Sequence, residues 1–260
     1  MRIVTLNTWK NEGDYARRLA LMAKGLAELR ADVICLQECF ACRGADTAAG
    51  LASKLGMRAH SAPARRKLRQ HGGRPVMSTS GLAMLSRAGG GRAEILGLAS
   101  DPRDGQRIAQ RLDLDVDGRP LRILNLHLTH LRGAKADEVR AEQLSAALAW
   151  AEAGWGGGLA VCGDLNMGRG DRGFEPLEAA AGEDLGSTLQ AVAGDPNQPG
   201  RAIDHVILLQ AGGLRVTCRA LALRQADPAG RVPSDHAAVV VDLEAATSSP
   251  WPVGRTSAAR

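Results

Sequence analysis

Aromatic side chains are scarce in this 260-residue sequence, where Phe, Trp and Tyr together make up 3%. The core must therefore be built mainly from Leu, Val, Ile and Ala, since hydrophobic residues still supply 45% of the chain. Few rings are available to stack on unpaired bases, so single-strand recognition has little support. The sequence also shows no apolar or aromatic hairpin of the kind that a lipid substrate would require.

Membrane and secretion signals are missing as well. No apolar run is long enough to cross a bilayer, and Met1 leads into the first predicted strand without a secretory pattern. The five cysteines are odd in number, and the Cys39–Cys42 spacing has no second pair to complete a zinc site. We therefore expect a reduced, cytoplasmic setting and no stable membrane insertion.

The charge balance favours one class of partner. Lys and Arg number 33 against 28 Asp and Glu, which gives a formal net charge of +5. Such an excess favours a polyanion, although many basic proteins bind none. The cluster Arg65, Arg66, Lys67 and Arg69 could clamp a phosphate backbone, but a solvated loop is the usual fate of such runs.

Hydrophobic periodicity predicts a mixed α/β chain. Helices are predicted at 14–30, 46–56 and 135–151, and strands at 2–8, 32–38, 80–87, 92–99, 106–117, 119–129, 159–163, 203–209, 214–223 and 236–243. Exposed loops are expected at 58–75 and, with one short helix, at 167–200. The antiparallel pairs predict two stacked mixed sheets with helices outside. We find no linker, so 1–245 is taken as one domain, and 246–260 is expected to be disordered.

Polar residues repeatedly end these apolar strands. They are Asn7, Glu38, Asn125, His127, Asp164, Asn166, Asp204, His205, Asp235 and His236. Because a buried strand needs apolar residues, their recurrence at strand ends indicates strands that deliver ligands to one pocket. Oxygen ligands suit a divalent cation, imidazoles suit developing negative charge, and a carboxylate can take a proton from water.

Side-chain alternation along a strand predicts which of these polar residues point the same way. Asp164 and Asn166 share a face of an extended chain, as do Asn125 and His127. The ordinary alternatives are an Asx turn after the strand and a satisfied strand histidine, while Glu38 alone would be a solvated acid. No single residue decides the question; the inference rests on how many agree.

Two Asp-His dipeptides need a separate argument. Neighbours on a strand point to opposite faces, so Asp204 is predicted inward and His205 outward. The second dipeptide follows a Pro-Ser pair where the backbone is expected to bend, so Asp235 and His236 are both predicted to reach the site. An adjacent aspartate can fix the tautomer of a histidine and raise its basicity. His130 is expected to be an ordinary loop histidine.

In order along the chain, LNTW, QE, NLHL, GDLN, IDHV and SDH resemble the motifs of the endonuclease/exonuclease/phosphatase superfamily, which has the fold of deoxyribonuclease I. The match covers nearly everything except the tail. The resemblance implies a four-layered α/β sandwich with the site at one end of two sheets. It also implies a phosphoester hydrolase that uses Mg²⁺ or Mn²⁺ and in-line attack of water on phosphorus.

The resemblance implies a role for each matching residue. Glu38 would be the principal metal ligand, with Asn7 and Asp235 near the ion. Asp164 would activate or orient the attacking water, and Asn166 would hold the phosphate or the water.

The histidines would act on the developing charge. His236, oriented by Asp204, would stabilise it, and His127 would do the same or protonate the leaving oxygen.

Abasic-site endonucleases usually carry a tyrosine near the NxH position, whereas this chain has only Tyr15. It therefore looks closer to deoxyribonuclease I-like nucleases, neutral sphingomyelinases, deadenylases, tyrosyl-DNA phosphodiesterases and inositol-phosphate phosphatases. Because the glutamate that supports this histidine in deoxyribonuclease I is missing, His127 is expected to be less basic.

We expect a monomeric phosphodiesterase or nuclease that contacts a phosphoester, with nucleic acid favoured, through Asn125 and the basic cluster. The alternatives are a phosphatase, a phospholipid or metabolite phosphodiesterase and, less favoured, a non-catalytic RNA-associated binding protein on the same fold. Arg140 and Gln143 match an RxxQ element and either brace the site or form a solvated helix face.

Overall fold

The computed structural model describes residues 1–87, 91–190 and 201–246. Within these ranges it contains four helices and twelve strands. The helices are α1 (Tyr15–Leu29), α2 (Thr47–Leu55), α3 (Ala134–Glu152) and α4 (Glu175–Glu178). The strands are β1 (Arg2–Asn7), β2 (Val33–Cys42), β3 (Ala45–Asp46), β4 (Arg58–His71), β5 (Arg74–Ser86), β6 (Glu94–Leu98), β7 (Arg107–Val116), β8 (Arg119–His127), β9 (Gly158–Asp164), β10 (Asp204–Gln210), β11 (Leu214–Ala222) and β12 (Ala238–Ala245).

The strands form two mixed sheets. The first has the order β11-β12-β1-β2-β5-β4, with the short β3 on β2, and the second has the order β10-β9-β8-β7-β6. Each sheet contains one parallel pair, β1 with β2 and β8 with β9, among antiparallel neighbours. Because β1 and β9 are central strands, their carboxyl ends lie within the sheets rather than at their edges.

Three buried clusters define the layers. Residues such as Ile3, Leu112 and Ile123 pack between the two sheets. Helices α1 and α2 cover the outer face of the first sheet, and α3 covers the second. This arrangement confirms the predicted four-layered α/β sandwich. As expected from the composition, aliphatic side chains dominate the core, and Phe40 and Phe174 are its buried phenylalanines.

The prediction of an exposed loop over 58–75 is wrong. Strands β4 and β5 pair from Arg58 opposite Ser86 to His71 opposite Arg74, with one shift of register between Pro63 and Arg65, and turn at Gly72 and Gly73. Most of this hairpin has no second layer over it, so polar residues occupy both faces and the period-two hydrophobic signal is lost. The hairpin therefore reads as a loop in sequence although it is the longest strand pair described.

Other predictions concern the Asp-Gly hairpin, the single domain, the tail and the absence of membrane spans. The Asp-Gly hairpin is confirmed, since Asp117 and Gly118 both have positive φ between β7 and β8. One domain over 1–245 stays a prediction, and the expected disordered tail lies outside the described residues from 247 onward. None of the described helices has both the length and the hydropathy of a membrane span.

A glycine on β9 allows the sheet to close beside the polar strand ends. Gly163 has φ +128, and a Cβ there would overlap the carbonyl oxygen of Leu126 on β8. We expect Gly163→Ala to lower the free energy of unfolding by about 3 kcal/mol, because both the backbone conformation and the neighbouring strand oppose a side chain. Urea denaturation measures the change. Gly156→Ala is the matched control, since open space surrounds it; equal losses in both variants would contradict the clash.

Candidate active site

Strand pairing brings the predicted polar residues together at one end of the two sheets. Asp204 lies opposite Asp164 across β10 and β9, and His127 lies opposite Asp164 across β8 and β9. From the other sheet, the Asn7 amide at the end of β1 donates to Asp164 Oδ2 at 2.9 Å. Residues from both sheets therefore meet at Asp164.

Asp164 is the buried centre of this group, with 2% of its surface exposed. Its Oδ1 accepts the backbone N–H of Asn166 at 2.9 Å, and His127 Nε2 lies 3.5 Å from its Oδ2. Burial, followed by the charge of Asp204, raises the pKa of Asp164 to about 7. This carboxyl can therefore exchange a proton near neutral pH.

His236 and Asp204 form a hydrogen-bonded pair behind Asp164. His236 Nδ1 lies 2.8 Å from Asp204 Oδ2, and its Nε2 lies 4.0 Å from Asp164 Oδ2. Burial alone would lower the pKa of His236, but Asp204, Asp164 and Asp235 outweigh it and raise the pKa to about 10. The ring is therefore an imidazolium whose Nε2–H faces the site. As predicted from alternation, His205 turns away and bonds the carbonyl of Met167.

Glu38 and Asp235 supply two further carboxylates. Glu38 sits at an irregularity of β2 with φ +55, which interrupts the pleat, and its Oε1 lies 2.7 Å from Lys10 Nζ. Asp235 precedes β12 and accepts from the Ser234 hydroxyl at 3.2 Å. Burial raises the pKa of Asp235 to about 6, lowered in part by His236 and raised further by Glu38. The two carboxylates therefore act on each other within the same site.

His127 and Asn166 keep 8% and 6% of their surfaces exposed, so the site reaches solvent beside them. Burial, with Arg107 and Lys10 nearby, lowers the pKa of His127 well below its ordinary value. The ring is neutral at physiological pH, in line with the expected weaker base. The Asn166 amide, on a residue with φ +53, donates to the carbonyl of Leu128 at 3.1 Å.

Asn125 lies between the sheets rather than in the site. It is fully buried, accepts from Gln37 Nε2 at 2.8 Å and donates to the carbonyls of Leu36 and Ala83. These bonds tie β8 to β2 and β5 across the interface between the sheets. The structure therefore gives Asn125 a role in joining the sheets and places no substrate surface beside it.

Arg140 and Gln143 brace the loop after β8. Arg140 donates to the carbonyls of Thr129 and Leu131, and Gln143 accepts the Thr129 N–H at 2.9 Å. Both side chains are buried. The bracing alternative is therefore the one that the structure shows.

The basic cluster divides between the two faces of the β4–β5 hairpin. Arg65 lines a pocket of about 450 Å³ that also contains Glu38 and His127. Lys67 shares this face, while Arg66 points to the opposite one. The fourth cation, Arg69, is 8% exposed and donates to the hydroxyls of Ser78 and Ser80, so its guanidinium is engaged within the hairpin.

Other residues around the site had escaped the sequence analysis. His130 is more than a loop histidine, since its Nδ1 lies 2.7 Å from Asp104 Oδ1, and Arg107 pairs with the same carboxylate. Lys10 contacts Glu38, and Arg18 supports the loop that carries Lys10. Lys10 and His130 lie in loops, where no periodic signal exists, whereas Arg107 begins β7 and Arg18 lies in α1.

The donor set suits a divalent cation. In the described residues, ligand atoms of Asp164, Asp204 and His236 lie within 4.8 Å of one another. Because His236 is protonated and bonded to Asp204, its ring offers no lone pair to a metal. The carboxylates of Glu38 and Asp235 are hard oxygen ligands near solvent, and they fit a divalent cation better.

Two stacked mixed sheets, flanked by helices and ending in a buried group of carboxylates and histidines, define an α/β sandwich of the class that commonly carries phosphoester hydrolysis. The profile of the Endonuclease/Exonuclease/phosphatase family matches residues 4–236. The chain belongs to this family. A comparison with curated proteins finds no match.

Solved structures share the fold at low sequence identity. An endonuclease/exonuclease/phosphatase from Beutenbergia cavernae is 20% identical, with a TM-score of 0.69 over 94% of this chain and 71% of that one. The human Nocturnin catalytic domain with a bound sulfate anion is 21% identical, with a TM-score of 0.64 over 94% of each chain. D. rerio TDP2 complexed with single strand DNA product is 17% identical, with a TM-score of 0.64 over 94% of this chain and 98% of that one.

Proposed function

We propose that the chain is a phosphodiesterase, dependent on Mg²⁺ or Mn²⁺, that cleaves nucleic acid by in-line attack of water on phosphorus. The observation that carries this proposal is the pairing of a buried, near-neutral carboxyl, Asp164, with an imidazolium, His236, whose Nε2–H faces the same oxygen. One group can take a proton from water while the other meets the negative charge that forms on phosphorus.

Each side chain then has a specific task. Asp164 accepts the proton of the attacking water as the new O–P bond forms and the bond to the leaving oxygen breaks. His236, held by Asp204, donates to a phosphoryl oxygen. His127 is neutral at physiological pH, so we assign it a hydrogen bond to the phosphate group rather than delivery of a proton. Asn166 holds the phosphate or the water beside Asp164.

Glu38 and Asp235, with the amide of Asn7, would hold the cation. When bound, it would supply Lewis-acid polarisation of the phosphoryl oxygens. The fit rests on two partly accessible carboxylates whose negative charges lie close enough for Glu38 to raise the pKa of Asp235, an arrangement that is unfavourable without a counter-ion. Lys10 lies in position to supply such a counter-ion to Glu38.

Hydrolysis of bis(p-nitrophenyl) phosphate and of plasmid DNA tests the proposal, with Mg²⁺, with Mn²⁺ and with chelator. We expect turnover that needs the metal and falls more than about a hundredfold in Glu38→Ala, since losing even outer partners of a metal ligand costs about 10- to 100-fold. The control is Glu94→Ala, because Glu94 pairs with Arg111 within the second sheet, whereas Glu38 lies in the first. Turnover that survives chelator, or faster turnover of p-nitrophenyl phosphate than of the diester, would contradict a metal-dependent diesterase.

A cationic strip beside the site favours nucleic acid as the substrate. It consists of Lys10, Arg65 and Lys67, which run from Glu38 along one face of the β4–β5 hairpin. Burial, Arg65, Arg69 and Lys10 lower the pKa of Lys67, which shows how closely the cations lie. Phosphate neighbours of a cleaved diester would neutralise this strip. Two structural relatives hold a bound sulfate anion and a single strand DNA product, which supports an anionic substrate.

Removing part of the strip should flatten the salt dependence of DNA binding. In Arg65→Ala/Lys67→Ala, we expect the slope of log K against log salt to become shallower by about 1 to 2, because each lost phosphate contact removes about 0.9. Binding titrations between low and moderate salt measure the slope. Lys24→Ala/Arg215→Ala removes the same charges elsewhere. An identical slope in both double variants would mean that Arg65 and Lys67 are solvated side chains that contact no phosphate.

A phospholipid diester is the second candidate. Leu68 and Met77 face each other across the β4–β5 hairpin and are 60% and 51% exposed, which the sequence analysis had not anticipated. Exposed apolar side chains on a cationic hairpin beside an active site are typical of contact with a lipid surface. Cleavage of the small diester without cleavage of DNA, together with binding to anionic vesicles that Leu68→Ser/Met77→Ser removes, would favour this candidate.

A further inference from the structure

Lys10 contacts the residue that the proposed function makes the main metal ligand. Its Nζ lies 2.7 Å from Glu38 Oε1, and both side chains are only partly exposed. A lysine cannot coordinate a cation while it is protonated, since an ammonium group has no lone pair. The ammonium therefore occupies one face of a carboxylate that a metal would need.

The backbone around Lys10 is held in an unusual conformation. Trp9 and Lys10 are consecutive non-glycine residues with φ of +55 and +44, in the left-handed region that side chains disfavour. A conformation of this kind persists only where the surrounding structure enforces it, and such residues cluster at functional sites. The direction of the Lys10 side chain is therefore imposed by the fold.

Arg18 supplies the enforcement. It is 2% exposed, its guanidinium donates to the carbonyls of Thr8, Trp9 and Lys10, and it stacks on the Trp9 ring at 4.8 Å. A buried arginine satisfied by consecutive loop carbonyls fixes the loop far more firmly than a surface ion pair could. An ordinary exposed Lys–Glu pair would need no such support.

The pocket next to Lys10 is suited to an anion. Its lining includes the cations Lys10, Arg65 and Arg107 together with two carboxylates, Glu38, which pairs with Lys10, and Asp104, which pairs with Arg107. A lysine that leaves Glu38 when a divalent cation arrives remains at the mouth of this pocket. Its ammonium would then lie among the groups that face the phosphate.

We propose that Lys10 is an exchangeable counter-ion for Glu38. It neutralises the carboxylate while the metal site is empty, competes with the divalent cation for Glu38, and binds the substrate phosphate once the cation displaces it. This inference rests on the proposed function, because it uses the same metal site. It makes Lys10 a substrate-binding residue that is available only in the metal-loaded enzyme.

Isothermal titration of the full chain with Mn²⁺ alone tests the competition. Lys10→Met keeps the side-chain stem and removes the charge, so Mn²⁺ should bind about fivefold tighter than in the wild type, which corresponds to an ion pair of about 1 kcal/mol. Lys67→Met is the matched control, since it removes a neighbouring charge without touching Glu38. Lys10→Gln provides a second variant should thermal melts show that Lys10→Met folds poorly.

The second half of the inference is tested with inorganic phosphate on the Mn²⁺-loaded protein. Phosphate should bind about fivefold more weakly to Lys10→Met than to the wild type, although the metal binds more tightly. Unchanged Mn²⁺ affinity, or equal tightening in Lys10→Met and Lys67→Met, would overturn the competition. Unchanged phosphate affinity would overturn the contact with substrate. Equal Mn²⁺ binding by the wild type and Glu38→Ala would instead overturn the metal site of the proposed function itself.

Discussion

Replacing Asp164 by asparagine is expected to lower turnover of a phosphodiester about a thousandfold. The amide keeps the shape of the side chain, but its single oxygen can accept from only one of the two donors, Asn7 Nδ2 and the Asn166 N–H, and it cannot accept a proton from water. Loss of a general base costs about 10²- to 10⁴-fold. The measurement is kcat for bis(p-nitrophenyl) phosphate at saturating Mn²⁺.

The fold of Asp164→Asn should lose less stability than the wild type as pH rises towards neutral. The pKa of Asp164 is raised from 3.8 to about 7 in the folded protein, so the wild type loses stability as pH rises through that interval. The neutral amide removes this loss. Asp113→Asn, which removes the charge of a half-exposed carboxylate paired with the buried Arg122, is the matched control. Activity near that of the wild type in Asp164→Asn would remove this carboxylate from the mechanism.

The second large effect is expected at His236. Because its imidazolium faces Asp164 from the segment that leads into β12 of the first sheet, His236→Gln should lower kcat about 10²- to 10³-fold, the loss expected when one preorganised donor to developing charge is removed. Metal affinity should change little, since Glu38 and Asp235 hold the cation. Turnover and Mn²⁺ titration, measured on the same preparation, separate the two effects.

Asp204 should act mainly through His236, although its charge also raises the pKa of Asp164. Asp204 Oδ2 is bonded to His236 Nδ1, so Asp204→Asn should slow the wild type but cost little more in a His236→Gln background. The double-mutant cycle measures this coupling. Fully additive losses would show that Asp204 contributes to turnover independently of the histidine.

Alternation along strands predicted most of the geometry at the site. The inward Asp204 and outward His205 lie where a period of two places them, and the same rule put Asn125 and His127 on one face. Alternation predicts the face of the sheet on which a side chain lies, but not which neighbour the side chain reaches. Asn125 therefore points toward the other sheet and stops at Gln37, whereas His127, two residues further, reaches the site.

Residues in irregular backbone could not be predicted in this way. The side-chain directions of Lys10 and Glu38 follow from left-handed backbone at Lys10 and from an irregularity in β2, neither of which leaves a periodic trace. The outer part of the β4–β5 hairpin was missed for another reason, since it is extended but has polar residues on both faces. Only the base of the hairpin packs in the core, through residues such as Ala83 and Leu85, so the hydrophobic pattern carries no information beyond it.

The pairing of β1 with β12 has a consequence for the order of events during synthesis. Arg2 pairs with Asp242, and the Ser234 hydroxyl just before β12 donates to the carbonyl of Asn7. The first and last described strands are therefore neighbours in the first sheet. A chain still emerging from the ribosome holds Glu38 and Asp164 long before it holds His236. Contacts of such long sequence separation form slowly. If the proposed function holds, hydrolytic competence would therefore appear late and abruptly, because an unfinished chain would hold no complete site.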